Sequence, residues 1–173
     1  MEFLRHIYVM NDIDKIKEFE AAIDLYGGII TKISYYFSTD SEEFKDIRQE
    51  VLYNIWKGWD NFRHDSKRST WIYRVTFNTC ISYNRKEKKV KNRISLEEVL
   101  DLPAESEPGL LEKYKTMHSL IQKLGYEDRA IILMWLDEKN YEEIAELMGI
   151  NRNSLAVRLK RIKERLIKMS KRN

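Results

Sequence analysis

The chain has 173 residues, 34% of them charged and 43% hydrophobic, with a formal net charge of +3. That length holds one medium domain or two small ones, and the balance suits helices around modest cores. A single cysteine, Cys80, excludes an intramolecular disulfide and a thiolate metal cluster, and makes a reducing, cytoplasmic setting the expectation. The longest apolar run, Ala130 to Leu136, is too short to span a bilayer, and the first residues lack a signal peptide's apolar core, so no membrane insertion is expected. The small net charge hides a segregated one. Acidic residues gather in Asp40 to Glu50 and Glu97 to Glu112, basic ones in Arg63 to Arg93 and near the C-terminus, which predicts two separate cationic surfaces.

Met1 to Met10 has no clear period and reads as a loosely held end without an assignable role. From Asp12, apolar residues recur at steps of three and four through Ile13, Ile16, Phe19, Ile23, Tyr26, Ile30, Ile33 and Phe37, the period of a helix. Gly27 and Gly28 interrupt it at a cost of about 1 kcal/mol each relative to alanine, which predicts a kink or a close helix contact. Ser38 to Ser41 is a turn, with Ser41 placed to cap the next helix. There Phe44, Ile47, Val51 and Ile55 share one face, while Asp46, Gln49, Glu50, Tyr53 and Trp56 gather on another. Acids mixed with aromatics have the composition of a protein interface; a Trp56 folded back into the core is the equal alternative.

Asp60 to Ser69 is polar and reads as a loop. Helix resumes at Thr70 and runs to Arg85, with Trp71, Ile72, Val75 and Thr79 inward and Tyr73, Phe77 and Ile81 on a separate line beside Arg74 and Asn78. A basic run from Arg85 to Arg93 follows, opposed only by Glu87. Rings interleaved with arginines suit single-stranded nucleic acid, because bases stack on rings while cations track phosphates. Equally, an aromatic line at helical spacing suits a core. Ile94 to Gly109 holds both prolines and several acids, and reads as a linker.

Leu110 to Leu124 is again helical, Gly125 ends it, and Glu127 to Leu136 is apolar on most of its surface, the natural centre of a second domain. Asn140 caps the next helix with Glu143 placed to bond back, and Ile144, Ala145, Leu147 and Met148 form its buried face. Gly149 supplies the left-handed backbone of a sharp turn. Asn151 caps the last helix, where Leu155, Leu159, Ile162, Leu166 and Met169 form one stripe amid seven Lys and Arg and one opposing acid, Glu164. A short helix, a glycine turn and a basic helix match the helix-turn-helix, whose second helix offers its first residues to the major groove. A helical hairpin with a merely solvated basic face is the bland alternative. His6, His64 and His118 lie in unrelated contexts, and no metal-ligand spacing, glycine-rich phosphate loop or acid tied to a nucleophile occurs. No catalytic residue, metal or cofactor is therefore expected.

Taken together, the two halves resemble bacterial RNA polymerase sigma factors of the extracytoplasmic-function type. Asp46-Ile47-Arg48-Gln49-Glu50-Val51-Leu52 followed by Ile55-Trp56 resembles the family segment that grips a coiled coil of the polymerase. Ser69-Thr70-Trp71-Ile72-Tyr73-Arg74-Val75, then Asn78-Thr79-Cys80-Ile81, Tyr83 and Arg85, resembles the segment that opens and captures the minus-ten element. Leu120 through Leu166 resembles the domain that reads the minus-thirty-five element. Departures are Ala156, where the family commonly has a basic residue, and the Gly27-Gly28 pair.

The resemblance implies an all-α chain of two small helical domains joined by a flexible linker: residues 1–90, a linker over 91–110, and 111–173 with the helix-turn-helix. It implies a non-enzymatic factor that binds core RNA polymerase through Asp46, Gln49, Glu50, Tyr53 and Trp56. Asn61, Phe62, Arg63, His64, Lys67, Tyr73, Arg74, Phe77, Asn78 and Arg85 would hold the melted strand of the minus-ten element. Arg152, Asn153, Ser154, Arg158 and Arg161 would meet the minus-thirty-five element, Arg152 on bases, with Lys163 on phosphates. An anti-sigma factor is a further expected partner. The alternative is a helix-turn-helix repressor that binds duplex DNA without polymerase. Whether the two domains pack on each other stays open at this level.

Overall fold

A computed structural model of the chain describes residues 2–62, 67–86 and 110–171, with side chains over 13–62, 67–85 and 112–171. Seven α-helices follow one another there: α1 (Glu2–Phe37), α2 (Ser41–Gly58), α3 (Arg68–Lys86), α4 (Leu110–Gln122), α5 (Tyr126–Leu136), α6 (Tyr141–Met148) and α7 (Arg152–Ser170). A single 3-10 turn, Trp59–Asn61, follows α2, and no strand occurs among the described residues. The all-α expectation holds. The expected linker over 91–110 lies outside the described residues except for Leu110.

The first three helices form a bundle because each has one continuous apolar face. Ile30, Ile33 and Phe37 of α1, Ile47, Val51 and Ile55 of α2, and Ile72 and Cys80 of α3 are fully buried. The α1 stripe is only half used, since Ile13 and Ile16 are exposed and Phe19 is half-buried against the edges of Trp56 and Trp59. Two expectations fail in α1. Its helix begins at Glu2, where a loose end was expected, because the segment holds no glycine or proline to stop it. It also runs unbroken through Gly27 and Gly28, and neither glycine serves a close contact: a Cβ on Gly28 would meet nothing within 4 Å, and one on Gly27 only Ile23 of the same helix. The cap of α2 is Asp40 rather than Ser41, one of two adjacent residues with equal capping chemistry; its carboxylate accepts from the Glu43 amide at 2.8 Å.

In the second half α5 is the centre, with Ala130, Ile131, Leu133 and Met134 fully buried where it packs on α6, α7 and, from the first half, α3. The Asn140–Glu143 capping box forms as expected, and Gly149 adopts φ 65°, which sends the chain into α7. Asn151 caps α7 by accepting from the Ser154 amide at 2.8 Å.

The two domains are docked, and one apolar cluster runs through both. Helix α1 meets α4, and α3 meets α5 and α6. Three side chains of the C-terminal half hold the end of α1, where helical carbonyls lack partners of their own. His118 Nε2 lies 3.3 Å from the Tyr35 carbonyl, and Gln122 donates to that of Ser38. Arg129 is 5% exposed and donates to the carbonyls of Tyr36 (3.0 Å), Gln122 (2.6 Å) and Leu124 (3.2 Å). A cation there complements the negative ends of two helices. Burial brings its pKa down to about 10, so it stays charged at neutral pH. None of the helices among the described residues is long and apolar enough to cross a membrane.

Candidate nucleic-acid and protein interfaces

On α2, burial of Ile47, Val51 and Ile55 forces the opposite face outward. Asp46, Gln49, Glu50 and Tyr53 are exposed and line one hollow of about 470 Å³, completed by Tyr83 of α3. Asn54 stands beside it, 3.4 Å from Glu50 and 3.3 Å from Thr79. Trp56 does not join this group. It is half-buried under α1, edge-on to Phe19 at 5.1 Å, with the Lys15 ammonium 4.4 Å above its ring. The core alternative describes it better than the interface one. Tyr83 is the member that sequence reading grouped elsewhere, because only the crossing of α2 and α3 brings it here.

Before α3, Asn61 and Lys67 are exposed; Arg63 and His64 lie outside the described residues. Phe62 packs on Trp71 at 5.3 Å, and the Arg68 guanidinium lies over Trp59 (4.7 Å) and Phe62 (5.5 Å). Gly58 makes this cluster possible, since a Cβ there would stand 3.0 Å from the Trp71 ring.

Along α3 the aromatic line is core between the domains, not an open stacking platform. Tyr73 and Phe77 are each 4% exposed and lie parallel to one another, 6.1 Å apart. The Tyr73 hydroxyl donates to Asp137 at 3.0 Å, and burial followed by that carboxylate pushes its pKa up. Lys32 of α1 pairs with the other Asp137 oxygen. Arg74 lies 3.5 Å from Glu146 and Arg85 lies 3.0 Å from Glu127, while Asn78 remains exposed at the mouth of the crevice.

On α7, Asn153, Ser154, Arg158 and Arg161 line one hollow of about 770 Å³ with Arg165. Arg158 is half-buried there, held by Asp128 at 2.7 Å and Glu127 at 2.9 Å, two acids in the first turn of α5 where the helix dipole favours them. The Arg158 hydrogen bond, and then the charges of Arg158 and Arg85, keep the Glu127 carboxyl below the usual range. Arg152 stands apart from this hollow: it donates to Glu142 and lies over Tyr141. Lys163 was expected on phosphates, yet its ammonium sits 4.3 Å above Trp135, on the rim of an apolar groove between α4, α5 and α7. That groove, with exposed Trp135, Leu136 and Ile167, was not anticipated, because each of its residues counts singly as a stripe member.

The halves that carry these faces each match a family model, residues 22–90 that of Sigma-70 region 2 and residues 114–166 that of Sigma-70, region 4. The chain belongs to the sigma-70 family of sigma factors. It is 27% identical over 170 residues to the ECF RNA polymerase sigma factor SigW of Bacillus subtilis (strain 168), which covers 87% of each chain. It is 29% identical over 143 residues to the ECF RNA polymerase sigma-E factor of Escherichia coli (strain K12), which covers 72% of each. Its fold is similar to that of the sigma factor RpoE crystallised with the anti-sigma factor NepR from Bartonella quintana (TM-score 0.70, 18% identity, 90% of this chain and 98% of that one). It is also similar to CnrH in complex with the cytosolic domain of CnrY (TM-score 0.67, 16% identity, 91% of this chain and 90% of that one). As a sigma factor of the extracytoplasmic-function type, the protein binds core RNA polymerase and directs it to promoter DNA, without enzymatic activity of its own. The repressor alternative gains no support from these matches.

Proposed function

We propose that this sigma factor divides its work among three faces. Residues 1–90 bind polymerase through the hollow of Asp46, Gln49, Glu50 and Tyr53, with Trp56 buttressing the helix from beneath α1. The loop of Asn61, Phe62, Arg63, His64 and Lys67, together with Tyr73, Arg74, Phe77, Asn78 and Arg85 of α3, holds the melted non-template strand of the minus-ten element. Residues 111–173 read the minus-thirty-five element through Asn153, Ser154, Arg158 and Arg161, with Arg152 flanking them. The segment 91–110 links the two. The work is done in the cytoplasm, and an anti-sigma factor controls it; RpoE, similar in fold, was solved with the anti-sigma factor NepR, and CnrH, also similar, with the cytosolic domain of CnrY.

The observation that supports this most is the α2 face: two carboxylates, an amide and a Tyr that is 57% exposed stand together on a helix whose other side is fully buried. A surface of that kind needs a cationic, apolar-edged partner. Pull-down of bacterial core RNA polymerase tests it. The intact chain is expected to retain polymerase, and Asp46→Ala/Gln49→Ala/Glu50→Ala to lose it while keeping its helical circular dichroism. Equal retention by the triple variant would move the polymerase contact elsewhere.

A further inference from the structure

The region 2 match begins at residue 22, yet α1 begins at Glu2. Over residues 13–21 every side chain is exposed except Lys15 and Phe19, which share one helix face with buried Ala22 at steps of four and three. Both end on the turn that follows α2. Lys15 pairs with Asp60 and holds its ammonium 4.4 Å from the centre of the Trp56 ring. Phe19 stands edge-on to Trp56 at 5.1 Å and to Trp59 at 5.4 Å. Between them Glu18 reaches Arg68, the first residue of α3, at 3.7 Å.

These contacts fall on both described ends of the segment between α2 and α3. Asp60 adjoins Asn61 and Phe62 at one end, and Arg68 adjoins Lys67 at the other. A stack ties the two ends together: the Arg68 guanidinium lies over Trp59 and Phe62, and Phe62 packs on Trp71. Asn61, Phe62 and Lys67 are the described loop residues given the melted strand above. A side chain held in its binding pose beforehand loses less rotamer freedom when the strand arrives, so a frame around this loop bears directly on strand affinity.

We propose, on the reading that this loop holds the melted strand, that Lys15, Glu18 and Phe19 are positioning residues for strand capture. The start of α1 braces the turn after α2 and the first residue of α3, and so sets the pose in which Asn61, Phe62 and Lys67 meet the non-template strand. None of the three touches DNA itself. Trp56 is the plate on which the brace bears, which accounts for an indole turned away from the acid face of α2. Polymerase docking through Asp46, Gln49, Glu50 and Tyr53 is independent of the brace.

The test uses the full chain assembled with core RNA polymerase. The probe is a fluorescein-labelled single strand selected from a random pool by the wild-type holoenzyme, read by anisotropy; polymerase retention and melting temperature are measured on the same proteins. Lys15→Asp sets two carboxylates face to face, Asp60→Lys two ammoniums, and the double variant restores the pair with its polarity reversed. The expected result is a coupling of about fivefold or more in strand affinity between positions 15 and 60, with polymerase retention unchanged. The coupling cancels whatever the added charge alone does to DNA affinity. Strand affinities that simply multiply overturn the brace, and so does a coupling that appears equally in polymerase retention. Where reversed charges disturb folding, the neutral cycle of Lys15→Gln and Asp60→Asn is read in the same way, and coupling below about twofold overturns the brace. Phe62→Ala separates the brace from the reading beneath it. Weaker strand binding in Phe62→Ala without coupling between 15 and 60 rejects the brace alone, whereas unchanged binding in Phe62→Ala rejects the loop as the strand holder and the brace with it.

Discussion

Arg85 of α3 and Arg158 of α7 end on the two oxygens of one carboxylate, Glu127, at 3.0 and 2.9 Å. The three side chains are 63%, 36% and 45% exposed, so water screens both pairs and each contributes no more than about 1 kcal/mol. Glu127→Gln is therefore expected to lower the melting temperature by only a few degrees, as calorimetry would record. A loss above about 3 kcal/mol would make this carboxylate a pillar of the fold instead of a screened surface partner. The sign with pH follows from its lowered pKa. Its contribution is present above the ordinary glutamate value and fades as pH falls through the lower folded one.

The two kinds of residue in the α7 hollow call for different outcomes on duplex DNA. Asn153, in the first turn of the recognition helix, has an amide that pairs both donor and acceptor with adenine. Arg161, about two turns further along, is exposed and suited to phosphate. In holoenzyme binding to a panel of promoter duplexes, Asn153→Ala is expected to relax preference at one base pair by about 1–3 kcal/mol. Arg161→Ala is expected to weaken all duplexes alike and to reduce the salt slope by about one. Equal scaling across the panel by both variants would remove Asn153 from base reading.

How much of this was legible in the sequence depends on how local each interaction is. The Asn140 capping box, the left-handed Gly149 and the α7 stripe were readable because each is decided within a few residues. The acid face of α2 was readable from helical period alone. Arg129 was not: as one basic residue in an apolar helix it gave no hint that its guanidinium would collect carbonyls from the ends of both α1 and α4. Tyr73 and Phe77 were legible as a line but not as a line covered by the other domain. The contacts of Trp56 with Phe19 and of Lys163 with Trp135 were not legible for a related reason: an amphipathic pattern states that a side chain lies off the main stripe, but not which neighbouring element meets it.

His118 is 8% exposed, tilted against the rings of Tyr35 (4.1 Å) and Tyr36 (5.3 Å), with Gln122 beside it and the Arg129 charge nearby. Burial first, and then Arg129, bring its pKa down from 6.5 to about 4, despite the opposing Tyr35 carbonyl. Between those values the unfolded chain binds a proton that the folded one refuses, so stability falls as pH falls. About 1.5 kcal/mol is expected to vanish between pH 6.5 and pH 5, a window mostly above carboxylate titration. Urea unfolding at several pH values checks this, and His118→Gln is expected to flatten the slope. A wild-type slope that His118→Gln leaves intact would put the titrating group elsewhere.

Two residues turn the chain through left-handed backbone on either side of α6, and they predict changes of opposite sign. Gly149 has φ 65° and a Cβ there would meet nothing within 4 Å, so Gly149→Ala suffers conformational strain alone, on the order of 1 kcal/mol. Glu138 has φ 58° with a full side chain and already bears that strain. Glu138→Gly relieves it, offset in part by the greater freedom of glycine in the unfolded chain, for a net gain of up to about 1 kcal/mol. Urea midpoints at unchanged m-values should therefore move down for the first and up for the second. If Glu138→Gly instead lowers the midpoint by an amount worth about 1 kcal/mol of stability, the Glu138 side chain supports the turn that places Asp137 between Tyr73 and Lys32, and the strain is held by contact rather than merely tolerated.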